Sequence, residues 1–254
     1  MTGVENNESQ TTIYNDHVKA VINDDGMLMS FENSDENQHE VYNQQGFFRY
    51  NGMRGRTFSG YYVFNPFTTG SEHNLRRIRS YKFSGQLIQL VQFHSFGMRM
   101  RTEQRYVLYN SSRELDCTYM VANNDYEETT LRNSMKTQTK RFFVHDSMFG
   151  VERGIMSDAE AGALNFSHIP TVRESENYGL NAYPCVHGLT MERDNGYIGM
   201  VVSHTVNCHF IDNSTVEFML RRSSSYYDDK GLTMALSDKS MSSLRIVLLA
   251  HADP

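Results

Sequence analysis

Three pairs of adjacent acids are the first residues of this sequence that suggest chemistry. They are Asp24-Asp25, Glu127-Glu128 and Asp228-Asp229. A glycoside hydrolase places two carboxyl groups about 5–9.5 Å apart across the bond that it cleaves. Adjacency in sequence does not supply that separation, and adjacent acids in turns are usually solvated. The pairs alone therefore assign no catalytic residue.

A small group of histidines and cysteines suggests metal binding at first sight. His204, Cys208 and His209 lie within six positions of one another. On a strand, His204 and Cys208 would share one face and His209 would point to the other. A tetrahedral zinc site needs its ligands to converge, so ordinary strand positions are favoured and no metal ligand is assigned.

Composition excludes several classes of function. The chain has 254 residues, with 24 Lys and Arg against 30 Asp and Glu, a net charge of −6. This balance, with the basic residues scattered, argues against non-specific binding to nucleic acid or anionic membranes. No stretch approaches the roughly 18 apolar residues of a membrane span. No signal peptide is recognisable either, and no location is assigned.

The elements that must position any site are β-strands, because apolar and polar residues alternate along much of the sequence. Apolar and polar residues alternate over Ile13–Ile22. An Asp-Gly turn at Asp25-Gly26 and the apolar run Met27–Phe31 follow, and this order predicts a hairpin. Asn33–Glu40 reads as a solvated loop. From Tyr81 onward, apolar runs and polar turns predict several long antiparallel strands, including Tyr197–Val206, Val216–Leu220 and Leu244–Leu249.

These patterns predict an all-β fold, a large antiparallel sandwich. We expect a disordered N-terminal tail over residues 1–12 and a single β-sandwich domain over residues 13–254. The odd, sparse set of three cysteines predicts buried thiols or one optional bridge rather than a disulfide framework.

Two blocks of sequence go beyond composition. The first, Ser59–Pro66, reads SGYYVFNP, and the second, Val216–Leu232, reads VEFMLRRSSSYYDDKGL. Together and in this order they resemble the β-domain of glycoside hydrolase family 38, the class II α-mannosidases. The resemblance extends over roughly residues 11–250, but only these two blocks are specific. Tyr61, Tyr227 and Lys230 depart from the family pattern, and only Arg222 matches an arginine of the family's basic triplet.

The resemblance implies a β-supersandwich of the galactose-mutarotase-like type. It also implies that this chain corresponds to the middle of a larger enzyme. In the family, retaining hydrolysis of α-mannosides uses an aspartate nucleophile, an aspartate acid/base and a zinc ion. All three belong to a separate catalytic domain, so no catalytic residue and no cofactor can be placed on this chain.

Three positions match residues that line the family's mannose site. Tyr62 matches a tyrosine that contacts the sugar. Lys230 matches an arginine beside the mannoside, and Asp228 matches the neighbouring acid. A lysine keeps the charge but loses the planar fork of donors. The resemblance therefore implies that Tyr62, Asp228 and Lys230 bind substrate and lie together on one rim.

Our sequence-based reading is a non-catalytic β-domain that packs on an α-mannosidase catalytic domain, in the same chain or a separate one, and walls its mannose site. Its expected partners are that domain and mannosides, with no nucleic acid and no membrane span. The alternatives are a free-standing carbohydrate- or protein-binding β-sandwich module and a purely structural remnant. The absence of Trp, the strongest platform for stacking on a sugar ring, disfavours the carbohydrate-binding module, although Tyr or Phe could substitute.

Overall fold

The computed structural model describes residues 3–7, 9–50, 70–97, 99–123, 127–146, 150–153, 182–223 and 240–252, which contain strands and no helix. Along the chain the strands are β1 (Gly3–Asn7), β2 (Gln10–Tyr14), β3 (Val18–Asn23), β4 (Leu28–Asn33), β5 (Gln38–Tyr50), β6 (Ser71–Glu72), β7 (Arg76–Ser84), β8 (Ile88–Phe96), β9 (Met100–Tyr109), β10 (Leu115–Asn123), β11 (Glu128–Met135), β12 (Arg141–His145), β13 (Gly150–Arg153), β14 (Ala182–Cys185), β15 (Gly188–Arg193), β16 (Gly196–Val202), β17 (Val206–Asp212), β18 (Thr215–Arg221) and β19 (Ser242–Ala252).

The strands form two antiparallel sheets. The 10-stranded sheet has the order β1-β2-β3-β4-β5-β11-β18-β17-β14, with β6 also paired to β5. The 9-stranded sheet has the order β13-β12-β15-β16-β19-β10-β9-β8-β7. The prediction of a large antiparallel β-sandwich is confirmed. In the described part of the chain no helix could cross a membrane.

One hydrophobic core lies between the sheets and takes residues from both. Strand β8 illustrates its origin, because its burial alternates strictly between inward and outward residues. A hydrogen-bonded bridge runs through this core, in which Gln45 on β5 donates to Asn133 at 2.8 Å and to Tyr119 on β10 at 3.1 Å. Because the buried side-chain amide of Gln45 has hydrogen-bond partners on both sheets, it favours one relative placement of the sheets.

The N-terminal region differs from the prediction. Residues 3–7 and 10–14 are strands, so the expected disordered tail over residues 1–12 is wrong for this part of the chain. The predicted strand Ile13–Ile22 is two strands, because Asn15 interrupts it. The Asn15 side-chain oxygen accepts from the backbone N–H of His17 at 2.9 Å and of Val18 at 2.6 Å. Such an Asx turn competes with continued strand pairing.

Two neighbouring segments test the turn assignments. The hairpin of β3 and β4 is confirmed, and Gly26 in its turn has φ of +82°, a backbone conformation that glycine adopts without cost. The predicted loop Asn33–Glu40 is too long, because β5 already begins at Gln38. Glu40 is only 3% exposed, a burial that the polar residues around it in the sequence do not predict.

Buried thiols lead to a first prediction. Cys117, Cys185 and Cys208 are free and buried. Burial raises the pKa of Cys117. A hydrogen bond with the Cys185 thiol, together with burial, raises the pKa of Cys208. Because thiolates are the reactive form, the native protein at pH 8 should not react with an aromatic disulfide reagent, whereas the protein unfolded in guanidinium should titrate three thiols.

The matched control is Lys19→Cys, which places a thiol on the exposed side of β3 and should react at once in the native state. Rapid reaction of any native cysteine in the unmodified chain would contradict the described burial.

Candidate functional site

The residues predicted to bind substrate lie outside the described residues. Tyr62 falls within 51–69, and Asp228 and Lys230 fall within 224–239. The expectation that they meet on one rim therefore stays a prediction. The structure does describe β5 and β18, the strands that precede these two segments, and the ends of these strands fix where each segment begins.

Both segments begin at one end of the 10-stranded sheet. Strand β5 ends at Tyr50 and β18 ends at Arg221. Each pairs antiparallel with β11, which lies between them, so β5 and β18 are parallel and finish at the same end. Glu128, the first residue of β11, lies opposite Tyr50. We call this end of the three strands the Tyr50 end; with strands about 4.8 Å apart, β5 and β18 are separated there by about 10 Å.

A buried polar group, here called the Glu217 cluster, lies beside the Tyr50 end on the side of the sheet away from the core. It consists of Phe48, Tyr50, Arg132 and Glu217. The Tyr50 hydroxyl lies 2.7 and 2.9 Å from the two carboxylate oxygens of Glu217. The Arg132 Nε donates to Glu217 at 2.6 Å, and its Nη2 donates to the Tyr50 hydroxyl at 3.1 Å. Glu217 is fully buried.

Arg132 is held by charge and by an aromatic ring at once. Its guanidinium carbon lies 3.7 Å from the centroid of the Phe48 ring, a close cation–π contact. Partial burial acts to lower the pKa of Arg132, but the Glu217 carboxylate and the Tyr50 hydroxyl outweigh it and raise that pKa. Since both oxygens of Glu217 are engaged in this way, the cluster is suited to hold the sheet surface in place rather than to transfer a proton.

A second buried acid sits at the Tyr50 end itself. Glu128 is 1% exposed, and its Oε1 accepts from Arg222 Nη2 at 2.6 Å and from Arg222 Nε at 2.9 Å. Arg222 is the residue that matches an arginine in the family block. Of the adjacent acids noted in the sequence, Glu128 is therefore buried and paired, whereas Asp24 is in a half-exposed ion pair with Arg77 at 2.7 Å.

A polar pocket opens along the same half of β5. Its volume is about 330 Å³, within the range of small-ligand sites. Amides and carboxylates line it together with apolar side chains, and the lining residues are Asn23, Asp25, Met27, Gln45, Phe47, Glu72, His73, Asn74 and Leu75. Such a mixture of acceptors, donors and apolar surface suits a polyhydroxylated ligand.

The described residues do not form a metal site. Among them no three His, Cys, Asp or Glu side chains are grouped closely enough to hold a metal ion. The expectation that this chain holds no cofactor, with zinc in a catalytic domain, stays a prediction.

Sequence reasoning missed the Glu217 cluster. One signal was present, because Glu217 is the single charged residue in the strand Val216–Leu220, and a charge inside an apolar strand needs a buried partner. Its partners Arg132 and Tyr50 lie 85 and 167 residues away. Their approach depends on the order β5-β11-β18, which the sequence pattern did not predict.

Comparisons with known proteins add the following. No protein-family model matches this sequence, and no curated protein matches it. A glycosyl hydrolase family 38 protein from Enterococcus faecalis is similar in structure, with a TM-score of 0.70 and 10% identity over 96% of this chain and 30% of that chain. An α-mannosidase from Enterococcus faecalis V583 gives a TM-score of 0.68 and 11% identity over 96% and 29%. The galactosidase domain of AgaSK, an α-galactosidase-sucrose kinase, gives 0.50 and 9% over 98% and 42%.

At such low identities the likeness shows the fold. The resemblance to family 38 proteins is thus confirmed as a structural one, for a β-sandwich that also occurs in enzymes acting on carbohydrates. This chain spans less than one third of the length of the two Enterococcus faecalis chains.

Proposed function

We propose that this chain is the β-sandwich domain of a larger α-mannosidase-type glycoside hydrolase. The domain packs on a catalytic domain, in the same polypeptide or a separate one, and contributes one wall of the mannose site. It carries no nucleophile and no acid/base residue of its own.

The observation that carries this proposal is the geometry of the Tyr50 end. Tyr62 follows the end of β5 by 12 positions, and Lys230 follows the end of β18 by 9. Two segments that leave parallel strands on either side of β11 start about 10 Å apart. Even the shorter of them can span about 30 Å when extended. The topology is thus compatible with a shared rim for Tyr62, Asp228 and Lys230.

The buried groups at this end have a positioning role in the proposal. The Arg222–Glu128 pair holds the chain at the point where it leaves β18, and the Glu217 cluster holds the end of β5. A sugar site needs donors and acceptors that stay fixed within a small volume. We therefore assign Tyr62, Asp228 and Lys230 to contact with mannoside hydroxyls, and Glu128, Arg222 and Glu217 to support of their segments.

The second prediction tests this function by reconstitution. The chain alone, with zinc, should release no aglycone from an aryl α-mannoside above a buffer blank. Co-expressed with the catalytic polypeptide encoded beside it, or extended to the full reading frame, it should co-purify with hydrolytic activity. Tyr62→Phe and Lys230→Met should each lower that activity by at least about tenfold, the effect of removing one well-placed polar contact.

Lys19→Gln, an exposed change on β3, is the matched control and should leave activity unchanged. Hydrolysis by the chain alone that disappears on substitution of one of its own residues would overturn the proposal. So would full activity of both the Tyr62 and Lys230 variants.

A further inference from the structure

The outward side of β7, β8 and β9, here called the β7–β9 face, is an exposed surface separate from the Tyr50 end. Strand β7 is the edge of the 9-stranded sheet, and all nine of its residues are exposed. In β8 the inward residues are buried and the outward ones are partly exposed. The register places Tyr81 opposite Gln92, and Gln92 opposite Arg105. The face is thus a regular grid of side chains.

Exposed aromatic rings are concentrated on this face. Tyr81 is 49% exposed, Phe83 56%, Phe96 43% and Tyr109 50%. Tyr81 and Phe83 are two positions apart on one strand, so their rings emerge on the same side about 7 Å apart. Large apolar groups on a soluble surface normally scatter singly, and a cluster of them marks a binding surface.

Cations lie between the rings. Arg76, Arg79, Arg101 and Arg105 point outward on these three strands, and within the described residues none of them is paired with a carboxylate. Arg79 instead reaches the Tyr81 hydroxyl at 3.5 Å. Four arginines and a histidine face one acid, Glu103, in a protein whose net charge is −6. The face is therefore a local positive surface on an acidic molecule.

Hydrogen-bonding side chains connect the rings and the cations. Gln92 and His94 lie 2.9 Å apart through Nε2 atoms. His94 packs edge-on against Tyr81, with ring centroids 5.6 Å apart, and its Nδ1 is 3.7 Å from Glu103. These contacts fix the orientation of the Tyr81 ring while they leave half of that side chain exposed.

We propose that the β7–β9 face binds an anionic oligosaccharide, a glycan whose sugar rings carry carboxylate, sulfate or phosphate groups. Sugar rings stack on Tyr81 and Phe83. Arg79, Arg101 and Arg105 bind the acidic groups, since guanidinium forms paired hydrogen bonds to such oxygens. This binding is independent of the mannoside site proposed above.

Hydrogen-bonding groups favour a glycan over a nucleic acid here. Aromatic rings among arginines also suit single-stranded nucleic acid. A sugar ring offers a face to stack on Tyr81 together with hydroxyl groups that Gln92 and His94 can bind, and the net charge of −6 opposes the approach of any long polyanion. We therefore favour a short anionic glycan, and oligo(dT) of matched length tests the alternative.

The third prediction is a binding test with chosen probes. Labelled oligogalacturonate and a heparin-derived octasaccharide represent carboxylated and sulfated glycans, and a phosphomannan fragment represents phosphorylated ones. A neutral mannooligosaccharide, poly-glutamate and oligo(dT) of matched length complete the set. We expect at least one anionic glycan to bind at least about tenfold more tightly than the neutral glycan and the two other polyanions, with affinity falling as salt rises.

Variants locate the site. Arg79→Gln with Arg105→Gln should weaken the preferred glycan by at least about tenfold and flatten the salt dependence. Tyr81→Ala should weaken it by a similar factor without changing the salt dependence, because it removes stacking rather than charge. Lys19→Gln removes one exposed cation from the opposite sheet and should have no effect. Circular dichroism and unfolding midpoints confirm that each variant is folded.

Several results would overturn the proposal. They are no binding of any anionic glycan, equal binding of poly-glutamate or of the neutral glycan, equal or tighter binding of oligo(dT), and glycan binding that the Arg79, Arg105 and Tyr81 variants leave unchanged. Self-association through this face, detected by sedimentation and abolished by Tyr81→Ala, would also overturn it. None of these results bears on the mannoside site proposed above.

Discussion

Replacing Glu217 by alanine should lower the free energy of unfolding by about 3–5 kcal/mol, the cost of leaving one member of a buried ion pair without its partner. In the native protein the Glu217 carboxylate is fully buried, while Arg132 retains 15% exposure of its side chain. Alanine removes the carboxylate that accepts from Arg132 Nε and from the Tyr50 hydroxyl, and leaves the Arg132 guanidinium without its charged partner. Urea unfolding at pH 7, read as a shift of the midpoint, measures the loss.

Two comparisons separate this effect from the loss of side-chain volume. The double change Glu217→Leu with Arg132→Leu removes both charges and should cost clearly less than Glu217→Ala, since no buried charge is left behind. Asp116→Ala removes the partner of Arg245, whose side chain is 54% exposed, and should cost no more than about 1 kcal/mol. If Glu217→Ala were no more costly than Asp116→Ala, the Glu217 cluster would not be a buried ion pair.

The position of this cluster connects stability with the proposed function. Tyr50 is the last residue of β5, and Arg132 faces Glu217 across the pairing of β11 with β18. Disrupting the cluster therefore disturbs both strands from which the predicted sugar-binding segments leave. We expect the Glu217 variant to be impaired in the reconstituted enzyme even at temperatures where it is fully folded.

Much of the fold was predictable because it depends on local alternation. Strands β8, β9, β10 and β19 each bury every second residue or nearly so, and such a period of two is visible in the sequence. The errors have local causes. Asn15 splits one predicted strand with an Asx turn, and the polar run before His39 conceals the start of β5, whose Glu40 is buried.

The candidate site was less predictable, because its residues meet through pairings distant in sequence. Glu128 and Arg222 are 94 residues apart, and nothing in either local pattern points to the other. The strand order β5-β11-β18 consists of pairings between strands that are far apart in the chain. Tyr62, Asp228 and Lys230 were proposed from a resemblance instead, and the strand order supports their approach without including them among the described residues.

A further buried ion pair joins the two sheets and leads to the last prediction. Glu40 on β5 and Arg193 on β15 lie 3.2 Å apart, with side chains only 3% and 4% exposed. Burial raises the pKa of Glu40 although the charge of Arg193 acts against it, and burial lowers the pKa of Arg193. Arg193→Met keeps much of the apolar stem but removes the charge, and at pH 7 it should cost about 3–5 kcal/mol.

That cost should depend on pH in a defined direction. Without Arg193, burial is opposed by the hydrogen bonds from Thr137 and the Val41 backbone but no longer by a positive charge, and the pKa of Glu40 in the folded variant rises further above its ordinary 4.5. A carboxyl group with a raised pKa prefers to be protonated in the folded state. Its contribution to stability is therefore fully present below its unfolded pKa and is lost as pH rises through its folded pKa. The difference between variant and wild type should be smallest near pH 4 and largest at pH 7 and above.

Urea unfolding of both proteins between pH 4 and pH 8 measures this difference, and subtracting the wild type removes the contribution of the other titrating groups. The matched control is the double variant Arg193→Met with Glu40→Gln. Glutamine does not titrate, so the stability difference between the double variant and the wild type should change with pH only through the titration of Glu40 in the wild type. The cost of the double change should therefore not grow toward neutral pH. A cost of Arg193→Met that stays constant across the range would mean that Glu40 remains charged in the folded variant, and that its burial is compensated by a group other than Arg193.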